Sequence, residues 1–111
     1  MPAVVYTVAA TFADAALADE WLRWLAEAHL AEVLAGGAAD AEVVELDGPG
    51  RSFEVHYHFP SRQAFERYER DFAPRLRADG LRRFPADRVV YRRSVGTTVL
   101  TMLPRAGGPT P

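Results

Sequence analysis

A chain of 111 residues with 49% apolar content and a formal net charge of -2 is the length of one domain and can bury one continuous core. All 13 basic residues are Arg, interspersed with 15 acidic ones, so no basic field is present to hold a phosphate backbone, and no Lys is available for Schiff-base chemistry. The absence of Cys excludes disulfides, thiolate nucleophiles and Cys-held metals; it fits a reducing compartment, and the cytoplasm is the expected location.

Met1 to Ala10 has no positively charged segment and does not read as a signal peptide. No run reaches the apolar length of a membrane span, so neither a membrane nor nucleic acid is expected as a partner. From Ala3 to Phe12, β-branched and aromatic residues alternate, with Val4, Tyr6, Val8 and Phe12 on one side, which predicts a first strand. Asp14 can cap a helix in which Leu22, Leu25, His29 and Val33 form an apolar stripe, with Leu17 and Trp21 beside it, ending at Gly36 and Gly37. Glu42 to Asp47 and Arg51 to Phe59 read as a hairpin around Gly48, Pro49 and Gly50. In its second arm Phe53, Val55, Tyr57 and Phe59 face one way, and Ser52, Glu54, His56 and His58 the other. Ser61 can cap a second helix carrying Phe65, Tyr68, Phe72 and Leu76 in one phase, long and kinked at Pro74. Arg88 to Met102 is a last β-rich run, in which Gly96 marks a bulge or the end of the ladder.

The order β, α, β, β, α, β predicts an α+β, ferredoxin-like fold: a four-stranded antiparallel sheet with two helices on one face. Residues 1–103 would form this domain, and 104–111 a flexible Pro/Gly tail. The bare face of such a sheet commonly packs on its own copy, so a homodimer is expected.

The run Trp21, Leu22, Arg23, Trp24, Leu25, then His29, Glu32, Val33, Leu34 and Gly37, resembles the first-helix signature of a bacterial family known as domain of unknown function 4286. Phe53 to Tyr57, Phe65 with Tyr68, Ala73 to Arg77, and Phe84 before Val89 to Arg92 resemble the same family. Ala31 departs from its usual Pro, and Ala38 and Ala39 from a bulkier residue after Gly37. The family in turn resembles the dimeric α/β-barrel superfamily, which includes cofactor-free monooxygenases and haem-degrading proteins. The resemblance implies a sheet-to-sheet homodimer and supplies no mechanism.

His29, on the apolar stripe, is the candidate catalytic residue: a proton acceptor or ligand contact in a cavity between helices and sheet, or a core His paired with Tyr or backbone. Tyr6, Tyr57, Tyr91 and Trp21 are candidate ligand-binding residues around it; Trp21 and Trp24 cannot both face the core squarely. Glu54, His56 and His58 share one strand face at alternate positions, a weak metal pattern that better suits a hydrogen-bonded dimer face, and no metal is expected. Arg75 and Arg77, after the kink, could hold a carboxylate or the other subunit, or be solvated surface.

No phosphate loop, dinucleotide fingerprint, Ser-His-Asp order or helical His-Glu-x-x-His pattern occurs, and no cofactor is expected. The first reading is a small homodimer with a small molecule bound between helices and sheet. A cofactor-free monooxygenase-like or isomerase-like enzyme is the second, and a structural dimerisation module the third. An enclosed void of roughly 300 Å³ or more beside His29 favours the first two, and a filled core the third.

Overall fold

The computed structural model describes residues 2–105. Strand β1 (Val4–Phe12) leads to helix α1 (Ala15–Trp24), which runs through a single π turn (Leu25–His29) into α2 (Leu30–Ala35). Strands β2 (Asp40–Leu46) and β3 (Arg51–Phe59) form the hairpin, followed by α3 (Arg62–Asp71), α4 (Ala73–Arg83) and β4 (Val89–Thr97). The sheet order is β2-β3-β1-β4 with every pairing antiparallel, which is the ferredoxin-like α+β arrangement.

Alternation sends Val4, Tyr6, Ala10 and Phe12 of β1, with Phe53, Val55, Tyr57 and Phe59 of β3, under the helices, where all are buried. Trp21, Leu25, Val33, Phe65, Tyr68 and Leu76 meet them from above. Asp14 caps α1 by accepting from the backbone N–H groups of Ala16 and Leu17, and Ser61 caps α3 by accepting from Ala64 at 3.1 Å.

The first helical segment departs from expectation. Ala18 and Trp21 are buried, while Leu22, expected on the stripe, is only half-buried. Trp21, Leu25, His29 and Val33 are spaced by four, and four residues of α-helix overshoot one turn by about 40°, so such a stripe drifts off the sheet. The π turn takes up the excess: the Leu30 N–H donates to the Leu25 carbonyl, a five-residue step.

The kink expected in one long helix is a break into two. Phe72 leaves helical geometry at φ -123°, ψ -44°, and α4 restarts with Pro74 in its first turn, where the missing N–H has no helical acceptor to lose. The apolar phase survives the break, with Ala73 and Leu76 buried after Phe65 and Tyr68.

The hairpin arm β2 starts at Asp40, opposite His58, two residues before the expected Glu42. Strand β4 stops at Thr97 because that residue pairs with Val4, the first residue of β1; one further bond joins the Thr98 N–H to the Ala3 carbonyl at 2.8 Å. Gly96 lies within the ladder opposite Val5 and marks neither a bulge nor an end. The residues from Thr98 to Arg105 carry no regular structure, and 106–111 of the expected tail lie outside the described residues. Among the described residues no helix is long and apolar enough to cross a membrane.

Candidate functional site

The register of the sheet sets the floor of a cleft. Tyr6 stands beside Tyr57, with ring centroids 5.7 Å apart; Val8 lies between Val55 and Arg93; Ala10 pairs with Tyr91. Val8 and Ala10 are small beside these neighbours, and the two helical layers part above Val8. Trp21, Trp24, Leu25 and His29 form one wall, and Leu76, Arg77 and Gly80 of α4 the other. Gly80 permits the approach of α4, since a Cβ there would lie 3.3 Å from Trp24 Cη2.

The cleft is neither an enclosed void nor a filled core. Its interior is narrow, and about 540 Å³ of atom-free space includes its open mouth. The lining residues Leu81 and Arg93 are exposed, which places the mouth between α4 and β4.

His29, Trp21, Tyr6, Tyr57 and Tyr91 all line this one cleft. The π turn brings His29 there, and its ring stacks on Trp24 with centroids 4.3 Å apart and planes 20° apart. Neither the Tyr nor the backbone partner considered for a core His exists: among the described residues its nitrogens have no hydrogen bond. Burial holds its pKa down at about 4, against the opposing pull of Glu32 and Asp79, so the ring is neutral at neutral pH.

The tyrosines differ in how they are held. The Tyr6 hydroxyl accepts from Arg77 Nη2 at 3.1 Å, and the Tyr91 hydroxyl donates to the Phe84 carbonyl at 2.9 Å. The hydroxyls of Tyr57 and Tyr68 have no partner among the described residues, and burial pushes both of their pKa values up, keeping them protonated. Tyr91 is raised to about 12, again chiefly by burial.

Arg77 is where solvated surface was the simplest reading. Its Nη2 also donates to Glu69 at 2.5 Å, its guanidinium lies 5.8 Å from the Tyr6 ring centroid, and its Nε is buried with no partner. Arg75, two residues earlier, points elsewhere and pairs with Glu32 at 3.2 Å. Tyr68, Gly80 and Arg93 are lining residues that pattern reasoning passed over, whereas Arg77, weighed there as a carboxylate or subunit contact against solvated surface, adjoins Leu76 on the apolar stripe.

The metal pattern does not assemble. Glu54, His56 and His58 lie on the opposite sheet face, where His56 Nε2 meets Glu54 at 2.9 Å while His58 Nδ1 is taken by Asp40 at 2.6 Å across the strand pair. Among the described residues no group of three His, Asp or Glu is placed to hold an ion.

The model of a family described as a domain of unknown function, DUF4286, matches residues 3–98. No curated protein is similar enough in sequence to match. A solved dimeric ferredoxin-like protein from an uncultured marine organism is similar at 15% identity, with a TM-score of 0.69 over 92% of this chain and 100% of that one. SnoaB, a cofactor-independent oxygenase from Streptomyces nogalater, is similar at 15% identity, with a TM-score of 0.65 over 92% of this chain and 98% of its own. An ethyl tert-butyl ether D family protein from Bacillus halodurans aligns at 9% identity, with a TM-score of 0.58 over 85% of this chain and 97% of that one. At these identities the likeness is one of fold.

Proposed function

This chain belongs to the family of the domain of unknown function DUF4286, and from that premise we propose that it is a homodimer that binds a small molecule in the cleft between helices and sheet. One observation carries the reading: the unpaired His29 ring and the unpaired Tyr57 and Tyr68 hydroxyls belong to residues that line a single aromatic cleft, with the Arg77 guanidinium beside them. Polar groups that open into a cleft without a protein partner are free to bond a guest, and a ligand with oxygen atoms supplies such partners. A module that served only dimerisation would need no such convergence.

The test is direct because both Trp residues line the cleft. Titrating the protein with a panel of one- and two-ring aromatic compounds should quench or shift the Trp emission saturably, with matching rises in melting temperature. Absence of saturable change for the whole panel, with the protein folded, would sink the reading.

A second reading, an enzyme that needs no cofactor, is favoured by His29 specifically. A neutral imidazole without a partner can take a proton from a bound substrate, and a substrate anion formed beside it would raise its proton affinity. The description of SnoaB as a cofactor-independent oxygenase is in keeping with it. Oxygen uptake with an electron-rich aromatic substrate, lost in His29→Phe while binding persists, is the expected result; binding with no turnover, neither oxygenation nor isomerisation, leaves a binding protein only.

The homodimer rests on what the single chain leaves bare. Beyond β4, Val99, Leu100, Met102 and Leu103 are 93%, 79%, 84% and 80% exposed, a concentration of apolar surface that soluble chains cover with a partner. The dimeric ferredoxin-like relative and the cysteine-free composition fit a homodimer working in the cytoplasm.

A further inference from the structure

The cleft is also charged, and unevenly. Two guanidiniums line it, Arg77 and Arg93, and among the described residues no carboxylate does; Glu69 is engaged by Arg77, and Glu32 and Asp79, whose fields reach His29, are paired with Arg75 and with Arg82 and Arg83. Arg93 has no carboxylate within ion-pair distance among the described residues; it lies 5.8 Å from the Tyr91 ring centroid, at the mouth. Arg77 holds Tyr6 and Glu69 through Nη2 alone, and its Nε, a charged donor removed from water, has nothing to donate to. Leaving such a donor unpaired is costly, more so than for a neutral group. Both guanidiniums act on the Tyr68 hydroxyl, pulling its pKa down against burial, so their fields meet inside the cleft.

Resting on the reading of the cleft as a ligand site, we infer that its ligand is a planar aromatic carboxylate, its carboxylate taken by Arg93 in the field of the Arg77 guanidinium and its ring held among Trp24, Tyr57 and Tyr68. A carboxylate is ionised at neutral pH, whereas a phenol is not, and an ionised ligand gains charge pairing from both guanidiniums that a neutral one lacks. The guanidinium of Arg93, without a carboxylate partner among the described residues, also matches the planar carboxylate in two-point contact. The narrow interior limits the ring system to one or two fused rings.

Naphthoate and its neutral amide have nearly the same shape and differ in charge, so calorimetric titration of the full chain with each separates shape from charge. The expected result is naphthoate binding at least about tenfold tighter than the amide, with rising salt weakening only naphthoate. Arg93→Gln, a change at an exposed residue, should remove most of that preference without moving the melting temperature. Arg77→Gln should do the same where it folds, and Arg93→Gln decides the matter where it does not. Equal affinity for acid and amide, or an undiminished preference in Arg93→Gln, overturns the anion assignment and leaves the cleft a ligand site. Failure of both probes to bind at millimolar concentration overturns the aromatic-carboxylate assignment, and the cleft reading falls with it only when the whole aromatic panel also fails.

Discussion

Trp24 and His29 lie face to face across the π turn, five residues apart in sequence with ring centroids 4.3 Å apart. The indole shields one face of the imidazole, so the ring sits in an apolar setting although its nitrogens meet no protein partner. Glu32 of α2 and Asp79 of α4, itself paired with Arg82 and Arg83, are the carboxylates whose fields reach it, and they only partly offset that burial.

This arrangement makes stability depend on pH with a definite sign. His29 takes up a proton near 6.5 when unfolded and near 4 when folded, so between those values the unfolded chain binds more protons. The contribution of the neutral ring is complete above pH 6.5, falls as pH drops through the window, and is gone below about 4. Allowing for partial solvent access, it amounts to about 2 kcal/mol. Urea unfolding at pH 7 and at pH 4.5 should show this loss in the native chain and not in His29→Phe, the rest of the chain being common to both. Parallel pH profiles would refute it.

Gly36 is fixed by space. Its φ of -80° suits any residue, but a Cβ there would lie 3.0 Å from Tyr68 Cδ1 and 3.1 Å from Phe72 Cγ, both ring atoms of well-packed side chains. Gly36→Ala should cost about 1–3 kcal/mol, read as a lower melting temperature. An unchanged melting temperature would mean that these rings yield freely.

Tyr91 ties β4 to the end of α4 through its hydroxyl and the Phe84 carbonyl. Tyr91→Phe should lose roughly 1 kcal/mol of stability in denaturant titration, because the half-buried carbonyl keeps only what water can reach it. A neutral result would show that water replaces the hydroxyl without loss.

The apolar segment after β4 should govern assembly. Removing residues 99–111, or placing charge with Leu100→Glu and Met102→Glu, should shift sedimentation from dimer toward monomer at micromolar concentration. A dimer that survives both changes would transfer the interface to the sheet face bearing His56 and His58. An intact chain that sediments as a monomer would end the homodimer proposal.

Most of the fold was legible because strand alternation and helix capping are local signals. Phe53, Val55, Tyr57 and Phe59 revealed a one-sided strand, and Asp14 and Ser61 marked helix starts that the structure keeps. The gathering of His29, Trp21, Tyr6, Tyr57 and Tyr91 on one cleft followed from those faces; their role is a separate question. What was less legible depends on backbone geometry between elements. A four-residue spacing from Trp21 to Val33 is compatible with a drifting α-helix or with a π turn, and only the sheet beneath decides. Pro74 signals a change of course, but whether the helix bends or restarts depends on the Phe72 backbone. The apolar residues from Val99 onward extended the apparent last strand, because β-propensity does not reveal where the partner strand begins. Arg77 stays open in sequence between a carboxylate or subunit contact and solvated surface, because the cleft beside it comes from the small residues on β1.

The central place of β1 has a kinetic consequence. The first strand made is the one that the last strand must join: Val4 pairs with Thr97 and Phe12 with Val89. Until β4 emerges, β1 presents one open edge, so an emerging chain can form the β1–β3 pairing but cannot close the sheet. Contacts so distant along the chain slow folding and favour commitment late in synthesis. During that interval the exposed edge is a natural template for misplaced strands, and the speed with which β4 arrives governs how long the nascent protein remains vulnerable.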